Sequence, residues 1–184
     1  MAILLLKKSY RHKDLKIINF NDLWNAHGIF TTMRVFRNSK KILFFNEHIT
    51  NLIKSSKIYN IYRKYKGKKK IIGICLGYQL ILFNEKGKIV QQKNIFHGYQ
   101  SKVKVTKESK LFKKNKLFNV GRYHSLKLYE PYKSNSLKIT MRCSKSNIPM
   151  AIEDIKNNIY GFQFHPESFL TENGKIIIKK ILSA

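Results

Sequence analysis

Cys75 stands between two glycines in the stretch Gly73-Ile-Cys-Leu-Gly77, directly after the apolar run "KKIIGI" (69 to 74). The chain holds only two cysteines and nine glycines, so three of them within five positions carry information. Glycine, any residue, nucleophile, any residue, glycine between a strand and a helix is the pattern of a nucleophile elbow. The glycines are needed because the turn is tight and a side chain there would strike the neighbouring strand or helix. The helix that follows aims its N-terminus at the sulfur and favours thiolate over thiol. In that geometry the main-chain N–H of Leu76 faces a developing oxyanion. On these five residues alone, a plain cysteine in a glycine-rich connection stays open as the alternative.

A thiol nucleophile needs a base, and the base needs an orienting group. The segment "GFQFHPES" (161 to 168) offers both. His165 and Glu167 lie two apart, so in extended chain their side chains project to one side. Pro166 between them fixes φ and stiffens the pair. His165 would take the Cys75 proton while Glu167 holds the imidazole tautomer. Standing alone, a His-Pro-Glu sequence is more often a surface turn. Here it follows an apolar strand in a chain that also has the elbow. No metal and no cofactor is expected.

The elements that must position these groups alternate. "AILLL" (2 to 6), "FTTMRVF" (30 to 36), "KILFF" (41 to 45) and "KKIIGI" have strand character, while residues 14 to 27, 48 to 65 and 77 to 87 carry helical spacing. "SKVKVT", "SLKITMRC" and "IYGFQFH" read as later strands. This order predicts an α/β fold: an open, mostly parallel sheet flanked by helices, with a nucleophile elbow. No linker or repeat divides the chain, and residues 1–184 are expected to form one domain.

Of 37 basic residues only six are arginine, and the formal net charge is +27. Arginine forks onto phosphates and guanine edges, whereas lysine acts as a diffuse point charge. The lysines are scattered, with one dense run at "KYKGKKK" (64 to 70), and accompany abundant isoleucine, asparagine, phenylalanine and tyrosine, all with AT-rich codons. The charge is therefore read as compositional bias and not as a nucleic-acid interface. The apolar run in "MAILLLKK" is too short for a signal peptide or a membrane span, and the two cysteines sit in dissimilar settings. A reducing cytoplasm and no membrane association are expected, with Cys143 a small core residue.

"GICLGYQ" followed by "FQFHPES" resembles the triad-type, class I glutamine amidotransferases, whose motif is G-x-C-x-G-x-Q with a distant H-P-E. The flanking "GRYHSL" (121 to 126) and "HPESFLTENGK" (165 to 175) are similar to the glutaminase subunits of anthranilate synthase and of aminodeoxychorismate synthase. The match is good from about residue 69 to the C-terminus and poor before it. The resemblance implies that Cys75, His165 and Glu167 form a catalytic triad and that Leu76, Gln79, Ser125 and Leu126 bind L-glutamine. It implies a chorismate-using synthase subunit as partner, in tryptophan biosynthesis or in the equivalent folate enzyme. It gives His124 a structural role.

The sequence also departs from that family. A P-G-P-G loop expected 25 to 30 residues before the nucleophile would fall near "NEHIT" (46 to 50), and residues 29 to 66 contain neither glycine nor proline. A D-N-Y-D-S-F motif after the first strand is replaced by "KKSYRH" (7 to 12). The N-terminal half therefore reads as shortened. A subunit that keeps the fold but has lost most of its catalysis stands as the alternative to an active glutaminase.

Overall fold

The computed structural model describes residues 31–35, 41–46 and 56–184 of the chain. The expected strand at 2 to 6, the helix at 14 to 27 and the first half of the helix at 48 to 65 lie outside these residues, as does most of "NEHIT".

Eleven elements are seen among the described residues: β1 (Thr31–Val35), β2 (Lys41–Asn46), α1 (Ser56–Tyr65), β3 (Lys70–Cys75), α2 (Leu76–Asn84), β4 (Ile89–Val105), β5 (Leu117–Leu128), β6 (Lys138–Cys143), β7 (Pro149–Asp154), β8 (Ile159–Phe162) and α3 (Gly174–Ser183). The eight strands form one sheet in the order β1-β2-β3-β8-β7-β6-β4-β5. The α/β class and the strand-to-helix junction at Cys75 are as expected. The mostly parallel sheet is not. Only β2–β3 and β3–β8 pair in parallel; every other pairing is antiparallel. The reason lies in the connections. Residues 144–148 and 155–158 are too short for the helical crossover that a parallel pair requires, so β6, β7 and β8 fold back on one another as hairpins. Strand-helix alternation ends after α2, and parallel pairing is confined to the strands flanking β3.

β3 is buried along its whole length, as are β7 and β8. Side chains alternate across a strand, and β3 feeds two cores. Ile71 packs with Tyr78, Ile81 and Leu82 of α2, whereas Ile72 and Ile74 join Met141, Phe162, Ile177 and Ile181. α2 is buried from Leu76 to Leu82 because a helix apolar on every face has no solvent side. α3 presents Ile177 and Ile181, one turn apart, to the other core. The buried Lys70 ammonium meets the carbonyls of Ile181 and Leu182 at the C-terminal end of α3, where partial negative charge gathers. Cys75 and Cys143 are both free thiols. Among the described residues no helix is long and apolar enough to cross a membrane.

Candidate active site

Cys75 is at once the last residue of β3 and the residue that caps α2, with φ 54° and ψ −102°. That backbone is unfavourable for any residue with a Cβ, at a cost of about 1–3 kcal/mol. The junction is tight enough to explain Gly73. A Cβ on Gly73 would lie 2.5 Å from the carbonyl of Gly77 and 2.6 Å from Ile81 Cδ1. The Cys75 side chain makes no cap to α2, so the first N–H groups of the helix, Leu76 among them, are left for another acceptor.

His165 and Glu167 follow β8 on an extended turn. His165 Nδ1 and Glu167 Oε1 are 2.7 Å apart, with side chains only 14% and 9% exposed. A carboxylate at that distance fixes the proton on Nδ1 and turns Nε2 outward as the working nitrogen. Burial works against protonation of the ring. Its contacts with the Cys75 thiol and the Glu167 carboxylate outweigh burial and push the imidazole pKa up to about 10. A ring of that basicity keeps the proton it takes and stays cationic near neutral pH.

Two buried glutamines adjoin this group. Gln79, one turn into α2, donates from Nε2 to Gln163 Oε1 at 2.8 Å, and Gln163 Nε2 approaches Cys75 Sγ at 3.9 Å. Gln163 lies two residues before His165 and is buried on the same extended run. No role was expected for it; the two-residue period through 163, 165 and 167 is the signal that finds it. Gln79 Oε1, His165 Nε2 and Glu167 Oε2 are all buried without a hydrogen-bond partner. Unpaired buried polar atoms are costly, and three of those in the described residues belong to this group of side chains.

β5 supplies the far wall. Gly121 O accepts from His165 N at 3.0 Å, Gly121 N donates to Thr171 Oγ1 at 2.9 Å, and Thr171 Oγ1 in turn donates to the His165 carbonyl at 2.6 Å. The Tyr123 ring meets His165 edge to face at 5.2 Å and its hydroxyl reaches Ser168 Oγ at 3.1 Å. Ser125 and Leu126 continue this strand, both half-buried. Cys75, His165, Glu167, Leu76 and Gln79 are thus gathered at one end of β3, with Ser125 and Leu126 on the strand that holds the His165 loop. Sequence reasoning missed the anchoring roles of Gly121, Tyr123 and Thr171. β2 ends at Asn46, the parallel register partner of Cys75.

A cysteine at an elbow, a carboxylate-held imidazole and a glutamine pair thus stand together on this sheet. The model of the class I glutamine amidotransferase family matches residues 47–184, and the chain belongs to that family. It is 41% identical over 126 residues to the bifunctional protein TrpGD of Thermotoga maritima, covering 67% of this chain and 21% of that protein. It is 36% identical over 132 residues to anthranilate synthase component 2 of Lactococcus lactis, covering 70% of this chain and 66% of the relative. The chain thus spans less than two thirds of either relative. In fold it resembles a chain of the PurLQS structure from Thermotoga maritima, with a TM-score of 0.62 at 17% identity, covering 80% of each.

Proposed function

We propose that this chain, as a single domain, is a glutaminase subunit that converts L-glutamine to glutamate and ammonia and passes the ammonia to a chorismate-using synthase partner in the cytoplasm. Cys75 Sγ attacks the side-chain amide carbon while His165 Nε2 takes the thiol proton, and a C–S bond forms. The tetrahedral oxyanion is met by the N–H of Leu76 at the start of α2. The C–N bond then breaks, His165 returns its proton to the departing nitrogen as ammonia, and a glutamyl thioester remains. Water attacks that thioester with His165 as base, the C–S bond breaks, and glutamate leaves with Cys75 restored. Glu167 holds the tautomer throughout. Gln79, Ser125 and Leu126 hold the amino-acid end of the substrate.

The observation that carries this reading is the 2.7 Å His165–Glu167 pair whose ring also interacts with a buried cysteine at a strained elbow. Tryptophan biosynthesis is the favoured pathway, with the folate enzyme as its counterpart; the choice lies in the partner. A second reading, a subunit that docks but barely catalyses, is favoured by the lack of glycine and proline between residues 29 and 66. One assay separates the two. Ammonia release from glutamine is measured in complex with the synthase partner, for the wild-type chain and for Cys75→Ser. A glutamine-like affinity label is expected to modify Cys75, and Cys75→Ser to abolish release. Wild-type release no greater than that of Cys75→Ser leaves only the docking subunit.

A further inference from the structure

Arg122 is 1% exposed, and among the described residues no carboxylate pairs with it. Burying a permanent cation this way is costly, so its partners show what it is for. Its guanidinium lies 3.6 Å from the centroid of the Phe96 ring. Nη1 reaches Ser101 Oγ at 3.4 Å and Cys143 Sγ at 3.6 Å, and Nε donates to His124 Nε2 at 3.0 Å. A guanidinium can only donate, so His124 Nε2 must be an unprotonated acceptor. The ring proton then sits on Nδ1, which donates to the Leu126 carbonyl at 2.8 Å.

Arg122, His124 and Leu126 are spaced two apart on β5 and share one face of the strand. The relay runs along that face, from guanidinium to imidazole to main-chain carbonyl. It ends where the β4–β5 ladder is broken. His124 pairs with Phe96 and Leu126 with Gln91, leaving residues 92–95 of β4 opposite Ser125 alone. Ser125 has no register partner on β4, and an unpaired peptide at a bulge is free to meet a ligand. What replaces the ladder is side-chain bonding. Gln92 Nε2 donates to the His124 carbonyl at 2.6 Å on one side of Ser125, and His124 Nδ1 holds the Leu126 carbonyl on the other.

We infer that Arg122, acting through a permanently neutral His124, is a positioning residue that fixes the Ser125–Leu126 main chain for binding the amino-acid end of glutamine. This rests on the glutaminase reading above. Burial and the neighbouring Arg122 charge hold the His124 pKa down to about 3, which keeps the relay in one protonation state across neutral pH.

Two variants of similar size separate positioning from packing, because asparagine can present an N–H where Nδ1 stood and glutamine cannot. KM and kcat for glutamine are measured in complex with the synthase partner, together with the rate at which iodoacetamide alkylates Cys75. His124→Gln and Arg122→Met are expected to raise KM about five- to tenfold, one hydrogen bond's worth, while kcat stays within about threefold. His124→Asn is expected to keep KM within about threefold of wild type, and alkylation of Cys75 to be unchanged in all three. If the Asn and Gln variants behave alike, or if kcat and alkylation fall while KM holds, the positioning role is overturned. The wild-type chain gives a check that no variant's folding can spoil. The ¹⁵N shifts of His124 are expected to report a neutral, Nδ1-protonated ring from pH 5 to 8, and titration near pH 6.5 overturns the relay. A wild-type complex that releases no ammonia overturns the glutaminase reading and this one with it, and it does so in the parent protein, not in a difference between variants.

Discussion

Two buried histidines sit within electrostatic reach of one another, and their surroundings drive them in opposite directions. His165, held by a carboxylate and facing a thiol, is pushed up to about 10. His124, buried and beside a guanidinium, is pushed down to about 3. Burial disfavours the charged ring in both cases, so it cannot account for the divergence. The partner does. On the turn after β8 the partners are anionic or ionisable to an anion, and the ring is made a proton acceptor. On β5 the partner is a fixed cation, and the ring is made a connector. The contrast shows that a histidine near a nucleophile is not a base on that account: what faces its second nitrogen decides.

The largest expected consequence is in catalysis. His165→Ala is expected to lower the turnover of ammonia release by at least about a thousandfold, whereas no His124 substitution that folds should approach that loss. Comparable loss in both would erase the distinction. Stability against pH sharpens it next. His165 binds its proton more tightly folded than unfolded, so its contribution is complete below about pH 6.5 and is lost as pH rises toward 10. His124 binds its proton less tightly folded, so its contribution is complete above about pH 6.5 and is lost as pH falls toward 3. Denaturant unfolding should therefore show an alkaline decline that flattens in His165→Asn. The acid decline should flatten in His124→Asn. A smaller effect probes the strand that joins the two rings. A Cβ on Gly121 would lie 2.7 Å from Ser168 Oγ and 3.0 Å from Leu170 Cβ. Gly121→Ala should cost about 2 kcal/mol of stability and loosen His165 without touching it, read as a lower melting temperature and a lower kcat.

What the sequence made legible follows from how local each constraint is. The elbow needs small residues at fixed offsets from Cys75, and the His165–Glu167 pair needs only a two-residue spacing, so both could be read directly. The direction of strand pairing could not. It depends on whether residues 144–148 and 155–158 turn back or cross over, and apolar runs look the same either way. Gln163 was overlooked because a neutral amide in a strand carries no pattern until a sulfur and a second amide are placed beside it. Nothing in the sequence assigns Arg122 a role. Arginine is mostly a surface residue, and only the ring of Phe96 and the nitrogen of His124 explain its burial. The first half of the helix at 48 to 65 and the segment in place of the glycine-proline loop fall outside the described residues.

The backbone at Cys75, bent to a positive φ, has one more implication. Glycine would sit there at less cost, so Cys75→Gly should fold more stably, by about 1 kcal/mol, with a melting temperature above that of the parent. The chain thus carries a strained backbone at a buried strand-to-helix junction.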